Sequence, residues 1–348
     1  MVSSPPIKLA VLDDYHNIAA RHFAHIDRSK LSVTVFNDTL PSYSHPETTD
    51  ASRSALVARL QPFTVLSTMR ERTPFPAALL RRLPNLKVVL GTGGKFESWD
   101  LDTMRLMGIK VCAAPGKGRT DGKGSAQSPR SLPVKQGGGH PTTQHVWALI
   151  LGLARNIAAD DAVVKGKGRP AGWQTELAMG LQGKTLGLVG LGRIGAHVAR
   201  VAVLAFGMKV ICWITKKELF STSDVVSINY VLSSRSLGII GAPELNAMKP
   251  SALLINTSRG PLIDEAALLD TLRKGRIRGA AIDVFDIEPL PADSPWRTEN
   301  WETKGKSRVL LTPHMGYVEE GTMTAWYEET AENVERLVEG KELLHRIV

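Results

Sequence analysis

KTLGLVGLGRIGAHVARVAVLAF, residues 184–206, reads as a strand, a glycine turn and a helix in succession. Lys184–Val189 is an apolar β-type run. Gly190, Gly192 and Gly195 then match G-x-G-x-x-G, and apolar residues continue at helical spacing to about Phe206. Each glycine has its own reason. The first permits the tight turn out of the strand, the second lets backbone approach a pyrophosphate, and the third lets the helix lie close to the sheet. Amides near Arg193 and Ile194 would face the phosphates, helped by the helix dipole. A bare structural turn is the alternative. The strand before and the helix after supply the context that dinucleotide binding requires.

Further strands are expected at Lys209–Trp213, Val225–Asn229, Ala252–Asn256, Gly279–Val284 and Arg308–Thr312. An acid at the end of the unit's second strand, Lys209–Trp213, would hold the ribose hydroxyls of the dinucleotide. None stands between Val210 and Thr215; Lys216 and Lys217 follow instead and would suit a 2′-phosphate. Only ten residues separate Trp213 from Asp224. A parallel crossover needs about a dozen or more, so part of the adenosine side looks missing. Three later strand exits carry ionisable groups: Arg259 in NTSRGPL, Asp283 and Glu288 in DVFDIEP, and His314 in TPHMGY. Taken singly they could be an ion-pair partner, a loop charge and a helix cap. Together, beyond the carboxyl ends of strands where α/β sheets bind ligands, they point to chemistry.

Upstream, Ile7–Asp13, Leu31–Phe36, Thr64–Ser67 and Leu86–Leu90 read as strands, with helices around Ala51–Leu60 and Pro76–Leu83. The alternation predicts a second α/β layer structure. Residues 115–139 interrupt it, with ten Gly or Pro among 25 residues, and read as a flexible loop or arm. An apolar helix follows over 140–158; His140 and His145 at its start read as structural or capping groups rather than metal ligands. The last helix is expected over Glu319–Glu339.

The chain has 348 residues, which suits about two domains. No apolar run reaches the roughly 18 residues of a membrane helix, and no secretory signal opens the sequence. Cys112 and Cys212 lack metal or redox spacing, so the expectation is a cytoplasmic protein without a metal. The net charge is +9, of which residues 115–139 supply +4, five basic residues against one acidic. With no finger or basic helix, nucleic acid is not an expected partner.

These stretches resemble the D-isomer-specific 2-hydroxyacid dehydrogenase family. The likeness lies in GLVGLGRIG, in NTSRGPLIDEAALLDTLRKGRIRGAAIDVFDIEPLP and in LLTPHMGYVEE, and extends to VLDDYHN and HPTTQHVWALILGLARN. It implies an α/β fold of two Rossmann-like, doubly wound parallel-sheet domains. The NAD(P)-binding domain, 140–317, would be inserted into a split substrate domain made of 1–139 and 318–348. By resemblance His314 is the proton donor, Glu288 its carboxylate partner and Arg259 the substrate-orienting arginine. Gly190, Gly192, Arg193, Ile194, Gly195, Thr257, Asp283 and Gly316 fall in the cofactor site, with Asp283 near the nicotinamide carboxamide. Gly93, Gly94 and Lys95 fall where the substrate carboxylate binds. The implied activity interconverts a small 2-keto acid and a D-2-hydroxy acid with NAD or NADP, in a homodimer. Two alternatives remain: a dinucleotide-sensing scaffold like the family's transcriptional corepressors, or an inactive shortened isoform.

Overall fold

The computed structural model describes residues 5–94, 96–124, 140–167, 173–174, 176–212, 215–301 and 303–348. The chain divides into two compact units, Met1–Gln136 with Glu319–Val348, and Gly137–Val318.

In the first unit, β1 (Ile7–Val11), β2 (Leu31–Val35), β3 (Val65–Thr68), β4 (Val88–Thr92) and β5 (Lys110–Ala114) form a parallel sheet in the order β2-β1-β3-β4-β5. This is the flavodoxin-like doubly wound order. Every residue of β3 and β4 is buried, as expected of central parallel strands covered on both faces. Helices α1 (Ala20–Phe23), α2 (Asp50–Leu60), α3 (Ala77–Leu80) and α4 (Leu101–Leu106) connect the strands. Leu56 and Leu60 of α2 join Leu66, Leu79, Leu80 and Val89 in one core. From the far end of the chain, α12 (Glu320–Val338) lies against β4 and β5. The final residues pair with β5: Val111 donates to Val348 O at 3.1 Å and Ile347 to Val111 O at 2.7 Å. That pairing covers the sheet edge.

The stretch expected to be a loose arm starts out firmly held. Glu329 of α12 accepts the amides of Gly116, at 2.8 Å, and of Lys117. Glu332 accepts the amide of Thr120 at 2.7 Å. Arg119 is only 6% exposed and makes a two-pronged contact with Glu335 at 2.7 and 2.6 Å. Composition alone could not reveal this, because the partners lie more than 200 residues away. The remainder of that stretch, 125–139, lies outside the described residues.

In the second unit, β6 (Thr185–Val189), β7 (Lys209–Ile211), β8 (Val225–Ile228), β9 (Leu253–Asn256), β10 (Gly279–Ile282) and β11 (Arg308–Leu311) form a parallel sheet in the order β11-β10-β9-β8-β6-β7. Against the six-strand order 3-2-1-4-5-6 of a full dinucleotide fold, β7 takes the place of strand 2 and no described strand takes that of strand 3. The return from β7 is nevertheless made. β7 stops at Ile211, so 13 residues lie before Val225, enough for α8 (Lys216–Thr222) to cross β6. The crossover that looked too short works because β7 has only three residues.

Helices α5 (Pro141–Ala154), α6 (Ile157–Val164), α7 (Arg193–Phe206), α9 (Ala242–Ala247), α10 (Glu265–Arg273) and α11 (Pro295–Thr298) complete this unit. Alternate strand residues serve opposite faces. Val225, Leu253, Ile255 and Ala281 pack with Val146 and Ile150 of α5 and Val198 of α7. Val226, Leu254, Ala280 and Ile282 pack with Phe220, Leu245 and Leu268 of α8, α9 and α10. The single helix expected over 140–158 breaks at Asn156, whose backbone is left-handed at φ 58° and whose side-chain Nδ2 donates to Glu176 O at 3.0 Å.

Candidate active site

Asn256, Ile282 and Leu311 stand in register on the neighbouring strands β9, β10 and β11. Arg259, Asp283 and His314 each follow within three residues, so the topology brings the three expected exits to one edge of one sheet. Gly260 tightens this arrangement: a side chain there would overlap the backbone of Phe285 and Asp286. The loop carrying Arg259 therefore lies directly on the loop carrying Glu288.

The imidazole of His314 meets Glu288, with Nδ1 2.6 Å from Oε2. The other carboxylate oxygen of Glu288 accepts the amide of Phe285 at 3.0 Å, which fixes the carboxylate plane. A carboxylate on Nδ1 selects the tautomer that donates from Nδ1, leaving proton exchange with a ligand to Nε2. Tyr317 sits edge-on to the ring, its centroid 5.4 Å away. The backbone of His314 is left-handed at φ 56°, which costs a non-glycine residue on the order of 1–3 kcal/mol. Three successive amides hold it there. His314 donates to Asp283 O at 2.8 Å, Met315 to Asp283 Oδ1 at 2.7 Å and Gly316 to Asp283 Oδ2 at 3.0 Å.

Those bonds give Asp283 a structural role. Its side chain is fully buried and also accepts from Thr312 Oγ1 at 2.6 Å. Held in this way, the carboxylate braces the turn that carries His314. Arg259 is half-buried, and its guanidinium donates to Ser258 O at 2.8 Å while its carbonyl accepts from Asn256 Nδ2 at 3.0 Å. Thr257, also expected at the cofactor, is buried at the exit of β9. Near Glu288, the Asp286 carboxyl is raised by partial desolvation, with Glu265 and Asp264 adding like charge, although the residue is exposed and solvent screens the effect.

The glycine turn has the shape a pyrophosphate needs. Gly190 sits at φ 100°, and a Cβ there would stand 2.5 Å from Asn229 O. A Cβ on Gly195 would overlap Gly190 O, whereas one on Gly192 would meet nothing within 4 Å. The flanking glycines are thus forced by close backbone approach, and the middle one faces open space. Helix α7 begins at Arg193, so the first-turn amides of Arg193 and Ile194 have no intrahelical acceptor. This cradle fits a dinucleotide. Lys216, read from sequence as a partner for a 2′-phosphate, is otherwise engaged: its ammonium donates to Ile239 O at 2.9 Å and pairs with Glu244 at 2.9 Å. Among the described residues no cluster of His, Cys, Asp or Glu could hold a metal ion.

In the first unit, Gly93 and Gly94 lie at the exit of β4. Gly93 donates its amide to Ala114 O at 2.8 Å. It therefore cannot offer that amide to a substrate carboxylate as expected, and Gly94 keeps the open position. Lys95 lies outside the described residues. The sequence reading passed over Arg70, whose backbone is left-handed at φ 55°. Its guanidinium lies where a side chain on Gly93 would be and stands 5.7 Å from the Trp326 ring.

It also passed over His145 and Thr312 as members of the site. His145 Nε2 lies 3.1 Å from Asp283 Oδ1 and 3.0 Å from Thr312 Oγ1. Its partners are 138 and 167 residues away, so only the fold discloses them. His140 behaves as expected of a cap, accepting the Thr142 amide at 3.3 Å.

A dinucleotide cradle and a His–Glu pair at one sheet's carboxyl edge define a nicotinamide-dependent oxidoreductase, and known proteins agree. The family model described as D-isomer specific 2-hydroxyacid dehydrogenase, NAD binding domain, matches residues 147–316. A glyoxylate reductase of Thermococcus litoralis is 32% identical over 284 residues, 76% of this chain and 77% of that protein. A D-3-phosphoglycerate dehydrogenase of Archaeoglobus fulgidus is 29% identical over 77% of this chain and 48% of its own length. The crystal structure of a phosphoglycerate oxidoreductase from Vibrio cholerae superposes with a TM-score of 0.74 at 30% identity, covering 96% of this chain and 99% of that one. The chain belongs to the D-isomer-specific 2-hydroxyacid dehydrogenase family. It is an oxidoreductase acting on a CH–OH group with NAD or NADP, and the scaffold and inactive-isoform alternatives are not favoured.

Proposed function

We propose that this enzyme reduces a short 2-keto acid to the D-2-hydroxy acid, with His314 as the proton donor. The observation that carries the reading is the 2.6 Å contact between His314 Nδ1 and Glu288 Oε2. NADH or NADPH, when bound, would supply the hydride for C2 of the keto acid. His314 gives the Nε2 proton to the oxygen that gains charge, and runs in reverse as a base during oxidation. Glu288 keeps the ring in the donating orientation and balances the imidazolium. Arg259 offers a planar fork to the keto oxygen and the carboxylate. The amides of Arg193 and Ile194 hold the pyrophosphate. Since one relative is named for glyoxylate and another for phosphoglycerate, short 2-keto acids are the class to try first. A homodimer and a cytoplasmic location are part of the same proposal.

The test is a titration of NADH and NADPH followed by addition of glyoxylate, hydroxypyruvate or a branched 2-keto acid. Wild type should oxidise the reduced cofactor, and His314→Ala should bind it equally well but turn over far more slowly. Equal turnover by the two proteins would remove His314 from the mechanism. Binding of cofactor without oxidation by any keto acid would instead support a sensor.

A further inference from the structure

We infer that His145 is a positioning residue for catalysis: it fixes the Asp283 carboxylate, which in turn fixes the left-handed turn carrying His314. The inference rests on the reading of His314 as proton donor. His314 to Gly316 present three consecutive amides to Asp283, one to its carbonyl and two to its carboxylate. Because the two carboxylate oxygens take different amides, rotation of the carboxylate would release both at once. The backbone at φ 56° would then lose what opposes its relaxation.

Asp283 is fully buried, so partners rather than water must set its orientation. Thr312 supplies one, but it lies two residues before His314 and belongs to the segment being held. His145 comes from a different element, the second turn of α5, and its Nε2 reaches both Asp283 Oδ1 and Thr312 Oγ1. A brace must be anchored outside what it braces. Helix α5 provides the anchor, since Val146 and Ile150, which follow His145 along the helix, are wholly buried on the sheet. The opening turn of α5 also lies close to this segment: a Cβ on Gly316 would stand 3.2 Å from Asp283 Oδ2 and 3.3 Å from Thr142 Cγ2.

Two variants separate this role from simple packing. His145→Gln keeps a donor at about the position of Nε2, and His145→Leu keeps volume but offers no donor. The first readout is amide hydrogen exchange of the full chain in the peptide spanning 313–318. His145→Leu should exchange roughly tenfold faster there, while the glutamine variant stays near wild type. The second readout is kinetic. His145→Leu should lose roughly 10- to 100-fold in kcat, with the Kd for NADH held within about threefold, and glutamine should restore most of the loss. Unchanged exchange at 313–318 in the leucine variant overturns the inference, as does an equal rise in both variants. Wild type inactive on every 2-keto acid would refute the functional reading alone, because the exchange comparison stands without turnover.

Discussion

Replacing Glu288 by Gln probes the charge at the centre of the site with almost no change of shape. Glu288 accepts twice, from the Phe285 amide on Oε1 and from the His314 ring on Oε2. Glutamine has one acceptor oxygen, so one of those donors must face an NH2 group. If the NH2 faces the ring, it donates to Nδ1 and favours the opposite tautomer. If Phe285 loses its acceptor, the ring keeps a neutral bond in place of a charge-assisted one. A hydrogen bond to a charged group contributes about 1.5–3 kcal/mol and a neutral one about 0.5–1.5. The side chains of His314 and Glu288 are 17% and 24% exposed, so solvent screens part of the difference. The loss in the transition state should be about 1–3 kcal/mol, or about 5- to 150-fold in kcat. Loss of reduced-nicotinamide absorbance with saturating keto acid measures it, and cofactor fluorescence should show unaltered NADH affinity. A glutamine variant with wild-type kcat across the pH range would refute the claim that the carboxylate charge assists His314.

Three further outcomes are expected. Gly190→Ala forces a Cβ to within 2.5 Å of Asn229 O at a backbone angle that L residues avoid; NADH binding measured by fluorescence should fall by at least about tenfold, and an unchanged Kd would contradict the cradle geometry. Lys216→Met should leave the ratio of NADPH to NADH affinity within about threefold, because Lys216 is tied to Glu244 and Ile239; a large loss confined to NADPH would show that Lys216 turns to the phosphate. The Arg119 guanidinium holds the Asp121 carboxyl well below the usual carboxylate range. That contribution is fully present above about pH 4 and is lost as pH falls toward the depressed folded value. Exchange in residues 115–124 should therefore rise below about pH 4 in wild type, and Asp121→Asn should show raised exchange already at neutral pH.

Local rules made the second unit readable. Gly190 is required by its φ of 100°, and Arg259, Glu288 and His314 announced themselves at the ends of apolar runs. Where a residue's role depends on a distant partner, the sequence was silent. His145 looks like a helix-start histidine until the fold sets it beside Asp283. Asp283 itself, polar and next to a strand end, suggested a ligand contact, and its role as a brace for the His314 turn shows only in the fold. β5, KVCAA, was passed over because its small side chains give a weak strand signal. The sequence did register the shortened region after β7, but could not show that a three-residue strand and a two-turn helix would still close the crossover. At 115–124 composition suggested looseness, and only the buried glutamates of α12 show otherwise.

The return of α12 to the first sheet has a consequence for synthesis. The ribosome completes β4 and β5 about 200 residues before it delivers the helix that covers them. At about 5–20 residues per second, the nascent sheet spends roughly 10–40 seconds with one apolar flank unclad. During that time the second unit, contiguous in the chain, can already fold. A product released early, before residue 320, would carry the whole His314 turn on a finished unit beside a half-built neighbour, and is the form that chaperones would be called on to hold.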